Sequence, residues 1–437
     1  MTAALGPALT VPVRRRSRGG VRRWSVPQSV AEHLAAGAGV PTSRTLLWAG
    51  FALVHGVLWW LCFASPGWPL GDVEVVYLGW ATDAASGADV VGITTGFVYP
   101  LLALLPILAP LAFGPDLYAA GWLGLVTLLN AGTFALLLGR GRNRRALAAA
   151  AWWLGFLLLL GPVALARIDA VTVPLAIAAL LFVGARPVWG TVLLTLVTWV
   201  KIWPVALVIA LFVVSKDRWR VLVAAAGTSL GIVLVALGLG SGPNVLSFVG
   251  EQTNRGIQIE SPVAGLWMWP AALGLPGSHL YYDRQILTFQ IIGTGTNVAI
   301  VAMTPLLALC GLAVVLLACQ RMRAGAEPAG LFPPLALALV LTLIVVNKVG
   351  SPQFTTWLAA PIIFGLLVRG RAWRLPAVLG LVIAALTQLV YPHFYDLLLV
   401  ADPALVLVLT VRNVLEVVLL GWAVWQILFP PTPYQKE

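Results

Sequence analysis

Residues 294–320 run TGTNVAIVAMTPLLALCGLAVVLLACQ, and Arg321 and Arg323 follow directly. The run holds no charged side chain and exceeds the roughly 20 apolar residues that a helix needs to cross a hydrocarbon core about 30 Å thick. Similar runs recur along the whole chain. The sequence therefore predicts an all-α polytopic membrane protein.

Composition supports this fold class. Of the 437 residues, 60% are hydrophobic and 10% are charged, and the mean hydropathy is +0.94, whereas soluble domains carry about one quarter charged residues. The net charge of +11 lies in short basic clusters between apolar runs, which argues against a nucleic-acid partner and for contact with membrane lipids. Cys62, Cys310 and Cys319 have no CxxC spacing, so we expect neither a disulfide nor a metal site.

The apolar runs predict a bundle of about twelve transmembrane helices with both termini in the cytoplasm of a plasma-membrane protein. We expect a disordered basic tail over 1–43, a transmembrane domain over 44–428 and a short cytoplasmic tail over 429–437. The predicted spans are 45–64, 117–139, 147–163, 170–184, 188–200, 202–214, 220–240, 294–320, 330–346, 355–368, 375–391 and 405–426.

Charge distribution fixes the predicted orientation, because positively charged loops stay on the cytoplasmic side. Most of the 27 lysine and arginine residues then lie inside. The outer loops 65–116 and 241–293 are long and rich in carboxylates, and long ordered loops on one face often carry the function. We expect the active site on this extracytoplasmic face.

Two segments do not fit an ordinary span. Residues 99–114 are apolar but short and rich in proline, which predicts interfacial helices in the first outer loop. Residues 190–215 are too long for one span and too short for two, which predicts a hairpin of short helices broken near Lys201 and Pro204.

The first outer loop offers two carboxylates, Asp72 and Glu74, just beyond the first span. In a strand they would share a face, whereas in a helix they would diverge. A carboxylate at the mouth of a bundle can act as general base toward an incoming hydroxyl. An ordinary solvated acid is the alternative.

Three further segments carry cations next to apolar spans. Lys201, between Trp199 and Trp203, is costly to bury unless it is paired or hydrated, and it is a candidate for a lipid phosphate or for snorkelling to the surface. Arg255, Gln258 and Glu260 follow the seventh span, where binding and a simple Arg–Glu ion pair are equally consistent with the sequence. Lys348, Ser351 and Gln353 lie before the tenth span and are suited to hold a phosphate or a sugar.

For two other groups of polar residues, a local ion pair is at least as consistent with the sequence as catalysis. Arg167 and Asp169 lie between two spans, and His393 and Asp396 lie in the last outer loop. Such short-range pairs at helix ends are common in proteins without a catalytic role.

Taken in order along nearly the whole chain, these features resemble the GT-C superfamily of membrane glycosyltransferases, most closely the family 87 branch found in actinobacteria. The carriers are Asp72 with Tyr77 shortly after it, Phe97-Val98-Tyr99-Pro100, Lys201-Ile202-Trp203-Pro204, and Asn347-Lys348-Val349-Gly350-Ser351-Pro352-Gln353. Where family members often have Tyr-Pro-Pro, this chain has Tyr99-Pro100-Leu101.

The resemblance implies an inverting transferase that takes a sugar from polyprenyl phosphate without a metal or other cofactor. It implies Asp72 as catalytic base, although the spacing to Tyr77 is one residue longer than in the relatives, which leaves Glu74 as a rival. Donor phosphate contacts are assigned to Lys201, Lys348 and Arg255. The further substrate contacts are Tyr77, Tyr99, Gln258, Glu260, Ser351, Gln353 and His393.

We therefore expect a mannosyltransferase that acts on a hydroxyl of a glycolipid or lipoglycan at the outer face of the membrane. Arabinofuranose is the nearest alternative sugar. A transporter or lipid flippase is the alternative from another class, because twelve spans with both ends inside also suit a transporter, although such proteins usually show symmetry between their halves.

Overall fold

The computed structural model describes residues 41–141, 143–184, 186–253 and 255–429. Most of the predicted tail 1–43, and all of the predicted tail 429–437 beyond Phe429, lie outside the described residues. The first helix begins at Pro41, slightly earlier than the predicted span.

The described chain is a bundle of helices with few strands. The helices of the first half are α1 (Pro41–Ala64), α2 (Leu78–Ser86), α3 (Leu104–Leu108), α4 (Tyr118–Leu138), α5 (Arg144–Leu160), α6 (Asp169–Val183), α7 (Pro187–Thr198), α8 (Val205–Val214) and α9 (Arg218–Gly238). Those of the second half are α10 (Ser247–Thr253), α11 (Gly265–Ala272), α12 (Thr296–Arg323), α13 (Pro328–Val345), α14 (Ala359–Arg369), α15 (Arg374–Gln388), α16 (Tyr395–Leu399) and α17 (Pro403–Leu428).

Each of the twelve predicted spans forms a helix. Eight helical segments within the described part are long and apolar enough to cross a membrane, and one of them, Pro352–His393, contains both α14 and α15. The other three predicted spans are the shorter helices α6, α7 and α8, of 15, 12 and 10 residues. The protein is an all-α polytopic membrane protein, as the sequence predicts.

Burial divides the bundle into a centre and a periphery. In the apolar stretch of α13, 72% of the residues are buried, compared with only 11% in α9 and in α12. A helix that is apolar all round and largely buried is a core helix, whereas an apolar helix with an uncovered surface suits contact with lipid. We therefore place α13 at the centre and α9 and α12 at the edge.

The predicted hairpin of short helices is confirmed. Helix α7 ends at Thr198 and α8 begins at Val205, so the chain is non-helical around Lys201. Non-helical backbone at membrane depth requires partners inside the protein. Here the carbonyl of Trp199 accepts a hydrogen bond of 2.9 Å from the backbone N–H of Leu102, in the first loop.

The two long loops fold over one end of the bundle. The first forms a π-helix at Asp72–Tyr77 and α2, then a series of short helical turns around α3 that includes Leu101–Ala103 and Ala109–Phe113. The second holds α10, α11 and a three-stranded antiparallel sheet of order β1–β3–β2, which the sequence analysis did not predict. The strands are β1 (Ile257–Gln258), β2 (Ser278–Asp283) and β3 (Thr288–Gly293).

Three of the basic clusters, those around Arg44, Arg145 and Gly370, meet at the opposite end of the bundle. The side chain of Arg145 donates to the carbonyls of Leu367 and Val368, at 3.4 and 2.9 Å. Gly141 packs against Arg44, within the same cluster of helix ends. The sequence predicted these groups on one side of the membrane, and the structure brings them to one end of the bundle.

Candidate active site

A cavity of about 870 Å³ lies beneath the two folded loops, at the end of the bundle away from the basic clusters. Ten of the twelve predicted site residues line it, although they come from four separate parts of the chain. The ten are Asp72, Tyr77, Tyr99, Lys201, Arg255, Gln258, Glu260, Lys348, Ser351 and Gln353.

The π-helix at the start of the first loop separates the two candidate bases. Asp72 lines the cavity with its side chain 40% exposed. Glu74 lies outside the cavity, where its carboxylate accepts a hydrogen bond from the Trp68 indole at 2.5 Å. Residues two apart on a helix point in different directions, so this local geometry presents Asp72 to a ligand and turns Glu74 away.

Arg167, which precedes α6 and also lines the cavity, forms an ion pair with Asp72. Its Nε lies 3.3 Å from Asp72 Oδ2, and its Nη2 donates to the hydroxyl of Tyr391 at 2.8 Å. The guanidinium also donates to the carbonyls of Pro69 and Ala166. Burial lowers the pKa of Arg167, but Asp72, Tyr391 and Tyr77 together raise it above its ordinary value. Arg167 is therefore a fixed positive charge beside the candidate base.

Lys201 is paired with Asp169 deep in the cavity wall. The distance from Lys201 Nζ to Asp169 Oδ2 is 2.6 Å, and the Asp169 side chain is completely buried. The other carboxylate oxygen of Asp169 accepts a hydrogen bond from the Trp357 indole. The ammonium also lies over the rings of Tyr99 and Phe354, at 5.3 and 5.6 Å.

The local pair of Arg167 with Asp169, which the sequence offered as an alternative to catalysis, is wrong. Arg167 pairs with Asp72 and Asp169 pairs with Lys201, so each finds a partner from another loop. Residues 167 and 169 lie at the turn into α6, where Arg167 lines the cavity and Asp169 is completely buried. A completely buried carboxylate requires a charged partner, which Lys201 supplies.

The segment after α10 contributes one cation and one carboxylate that do not pair with each other. Within the described part of the chain, Arg255 forms no ion pair, and its Nε has no hydrogen-bond partner. Burial lowers the pKa of Arg255. Glu260 is 1% exposed and accepts a hydrogen bond of 2.7 Å from Tyr395. Burial raises the pKa of Glu260 in spite of that bond.

The loop between α13 and α14 packs directly against this segment. The backbone N–H of Gln258 donates to the carbonyl of Lys348 at 2.9 Å. A Cβ at Gly350 would lie 2.2 Å from the Cα of Ser261, so only glycine permits the two backbones to approach this closely. Lys348 is 4% exposed, and burial lowers its pKa. The close packing brings Lys348 and Glu260 into one wall.

Tyr77 and Tyr99 form the wall next to Asp72. Their hydroxyl oxygens are 3.4 Å apart, and the Tyr77 hydroxyl accepts a hydrogen bond from the backbone N–H of Ile168 at 3.2 Å. Burial is the main cause that raises the pKa of both phenols. Both therefore stay neutral hydrogen-bonding groups at physiological pH.

His393 is the second predicted site residue that lies outside the cavity. Its Nδ1 is 3.1 Å from the carbonyl of Gln388. The neighbouring residues Tyr391, Tyr395 and Asp396 do line the cavity, and sequence reasoning missed both tyrosines. The cluster of aromatic residues at 391–395, directly after an apolar span, was the signal that could have identified them.

One part of the cavity wall is apolar. Ile202, Leu307 and Leu343 line it, and they come from the α7–α8 break, from α12 and from α13. Ile202 is 46% exposed. An apolar wall at the lipid-facing edge of a bundle is suited to a hydrocarbon chain.

Among the residues that the structure describes, no group of three His, Cys, Asp or Glu side chains lies close enough together to hold a metal ion. That the reaction proceeds without a metal or other cofactor stays a prediction.

Comparison with known proteins supports one class, a membrane-embedded glycosyltransferase. Residues 97–288, somewhat under half of the chain, match the model of glycosyltransferase family 87, which supports a glycosyltransferase of that family. The matched region includes Tyr99, Lys201, Arg255 and Glu260, whereas Asp72 lies outside it. A search of curated proteins found no match.

Proposed function

We propose that the protein is an inverting glycosyltransferase that moves mannose from polyprenyl phosphate to a hydroxyl of a glycolipid or lipoglycan, on the outer face of the membrane. The observation that carries the proposal is the cavity itself. It holds the exposed carboxylate of Asp72 together with the cations Lys201, Arg255 and Lys348, beneath loops at one end of a membrane bundle. Glu251, Glu260 and Asp396 also line it.

Asp72 is the proposed general base. Its carboxylate takes the proton of the acceptor hydroxyl while that oxygen attacks the anomeric carbon of the donor sugar. The bond from the anomeric carbon to the phosphate oxygen breaks, and polyprenyl phosphate leaves with the electron pair. Because attack and departure occur on opposite faces of the carbon, the configuration is inverted. Arg167, at 3.3 Å, holds Asp72 in place for this step.

The cations Lys201, Arg255 and Lys348 are the proposed phosphate contacts. All three line the cavity, and charge that develops on a leaving phosphate is stabilised by fixed positive groups in a water-poor site. Arg255 lacks an ion-pair partner in the described part of the chain, which suits a residue that meets an anionic ligand. The prenyl chain of the bound donor would extend along the apolar wall that contains Ile202 and Leu307.

The polar groups of this protein favour an enzyme over a transporter. Transporters usually bind substrate near the middle of the membrane between two related halves. Here the charged residues of the cavity gather under loops at one end of the bundle, and the other end holds the basic clusters. Arabinofuranose is the alternative sugar and is tested beside mannose.

The test uses the purified protein with labelled polyprenyl-phosphate mannose and polyprenyl-phosphate arabinose, offered in parallel. We expect transfer from the mannose donor, a loss of at least about 100-fold on Asp72→Asn and unchanged donor binding. Glu74→Gln is the matched control, because Glu74 belongs to the same π-helix but lies outside the cavity.

Full activity of Asp72→Asn would refute the role of Asp72, and a loss confined to Glu74→Gln would transfer that role to Glu74. Transfer from the arabinose donor alone would correct the sugar. If neither donor supports sugar transfer, the proposed function is refuted.

A further inference from the structure

Within the described residues, only one of the two carboxyl oxygens of Glu260 has a hydrogen-bond partner. Its Oε1 accepts the 2.7 Å hydrogen bond from Tyr395. Its Oε2 is buried and has no hydrogen-bond partner among the residues that the structure describes. The side chain as a whole is 1% exposed, yet it lines the cavity. A buried carboxylate oxygen without a donor is unfavourable, so this atom calls for a partner that a ligand can supply.

The backbone of Glu260 is fixed by contacts from two sides. Its backbone carbonyl accepts hydrogen bonds from Arg412 Nη2 at 2.6 Å and from Asn413 Nδ2 at 3.5 Å, both on α17. Gly350 lies against the backbone of Glu260 and Ser261 from the other side. The carboxyl group is therefore held at the cavity wall by three separate elements.

The rings of Tyr395 and Tyr391 lie between Glu260 and the Arg167–Asp72 pair. Tyr395 donates to Glu260, and its ring centroid lies 5.1 Å from that of Tyr391. The hydroxyl of Tyr391 in turn accepts from Arg167, which pairs with Asp72. Glu260 and Asp72 are therefore linked through Tyr395, Tyr391 and Arg167 along the lining of one cavity.

Chemistry restricts what Glu260 can bind. A carboxylate repels a phosphate, so the Glu260 carboxyl group itself does not contact the phosphate of the donor. It accepts from hydroxyl groups, which are the donors that a sugar presents, and bonds to a charged acceptor are stronger than neutral ones. We propose that Glu260 Oε2 accepts a hydrogen bond from a sugar hydroxyl of a substrate, with Tyr395 fixing the orientation of the carboxyl group.

This inference rests on the proposed function and assigns a recognition role within the same site. The hydroxyl belongs either to the sugar that is transferred or to a sugar of the acceptor. Deoxy analogues of both substrates, each lacking one hydroxyl, distinguish the two sources. The analogue that lacks the hydroxyl bound by Glu260 identifies which substrate supplies that hydroxyl.

The experiment is a thermodynamic cycle that combines one substitution in the protein with the removal of one substrate hydroxyl. We expect Glu260→Gln to lower kcat/KM roughly 10- to 100-fold, as does removal of the responsible hydroxyl from the substrate of the wild-type protein. The two changes together should cost little more than either alone, because each removes the same hydrogen bond. A merely structural role of Glu260 would leave the costs additive.

Glu416→Gln is the matched control. Glu416 is also 1% exposed with an unpartnered Oε2 within the described residues, but it lies on α17 beside Arg412 and not at the cavity. We expect its substitution to change thermal stability without any coupling to a substrate hydroxyl. If Glu260→Gln does not fold, Tyr395→Phe takes its place, and the same coupling should be present in weaker form.

The same cycle is measured on binding affinities of the donor, the acceptor and their analogues as well as on turnover. Absence of sugar transfer by the wild-type protein would refute the proposed function, while the binding cycle would still test Glu260. Additive costs for every analogue of donor and acceptor, in either variant, would overturn the inference.

Discussion

At the scale of single residues, the site depends on pairings between distant parts of the chain. Asp72 pairs with Arg167, and Asp169 pairs with Lys201. The second pair is the more deeply buried, with side-chain exposures of 10% for Lys201 and 0% for Asp169. Removing one partner of such a pair leaves an uncompensated charge in a poor solvent, which costs about 3–5 kcal/mol.

We therefore predict that Asp169→Asn and Lys201→Met each destabilise the protein by about 3–5 kcal/mol, and that the double variant recovers most of this loss. Donor binding should behave differently, because it needs the ammonium. We expect it to be weakened in Lys201→Met and in the double variant alike. Thermal unfolding in detergent and donor titration measure the two effects.

Additive losses of stability in the double variant would contradict a direct pair. Donor binding that returns in the double variant would show that Lys201 contributes only to stability. Lys216→Met is a suitable control, because Lys216 is an exposed lysine in the loop between α8 and α9, far from the cavity.

At the scale of elements, the cavity depends on the contact between two loops. Strand β1 and the loop between α13 and α14 are joined by the hydrogen bond from Gln258 to Lys348. Gly350 lies at the closest approach of the two backbones. This contact places Glu260 and Lys348, which are far apart in sequence, on the same wall.

We predict that Gly350→Ala separates these loops and reduces both thermal stability and sugar transfer. A Cβ there would meet backbone atoms of Ser261 at 2.2 Å, and overpacking of this kind costs about 1–3 kcal/mol or more. Thermal unfolding and transfer assays measure the effect. Gly330→Ala on α13 is the control, because a Cβ at Gly330 meets no atom within 4 Å. Equal behaviour of the two variants would contradict the prediction.

At the scale of the whole molecule, the two ends of the bundle differ in charge and in structure. One end brings together the basic loops near Arg145 and Gly370. The other holds the cavity beneath the folded loops. With positively charged loops retained in the cytoplasm, this asymmetry favours a cavity that faces outward.

We predict that a cysteine at Ser86 reacts with a membrane-impermeant maleimide in intact cells, whereas a cysteine at Arg323 reacts only after permeabilisation. Ser86 is an exposed residue at the end of α2, and Arg323 is exposed at the basic end of α12. The native Cys62, Cys310 and Cys319 are replaced by alanine to remove background labelling. The reverse pattern would overturn the proposed orientation.

The sequence by itself determined the helices, including the break around Lys201. Hydropathy is a local property, because each apolar run alone decides whether a segment is stable in lipid. Ionisable groups next to apolar spans, which are costly without a partner, pointed to the segments that hold eight of the cavity residues. The resemblance to family 87 added Tyr77 and Tyr99.

Only the tertiary structure decided which of these groups meet. It paired Asp72 with Arg167, turned Glu74 and His393 away from the cavity, and added Tyr391 and Tyr395 to its wall. It also showed that β1, β2 and β3 of the second long loop form one sheet. The physical reason is that a charge or hydrogen-bond pair depends on which helix ends pack side by side, and no local run of sequence contains that information.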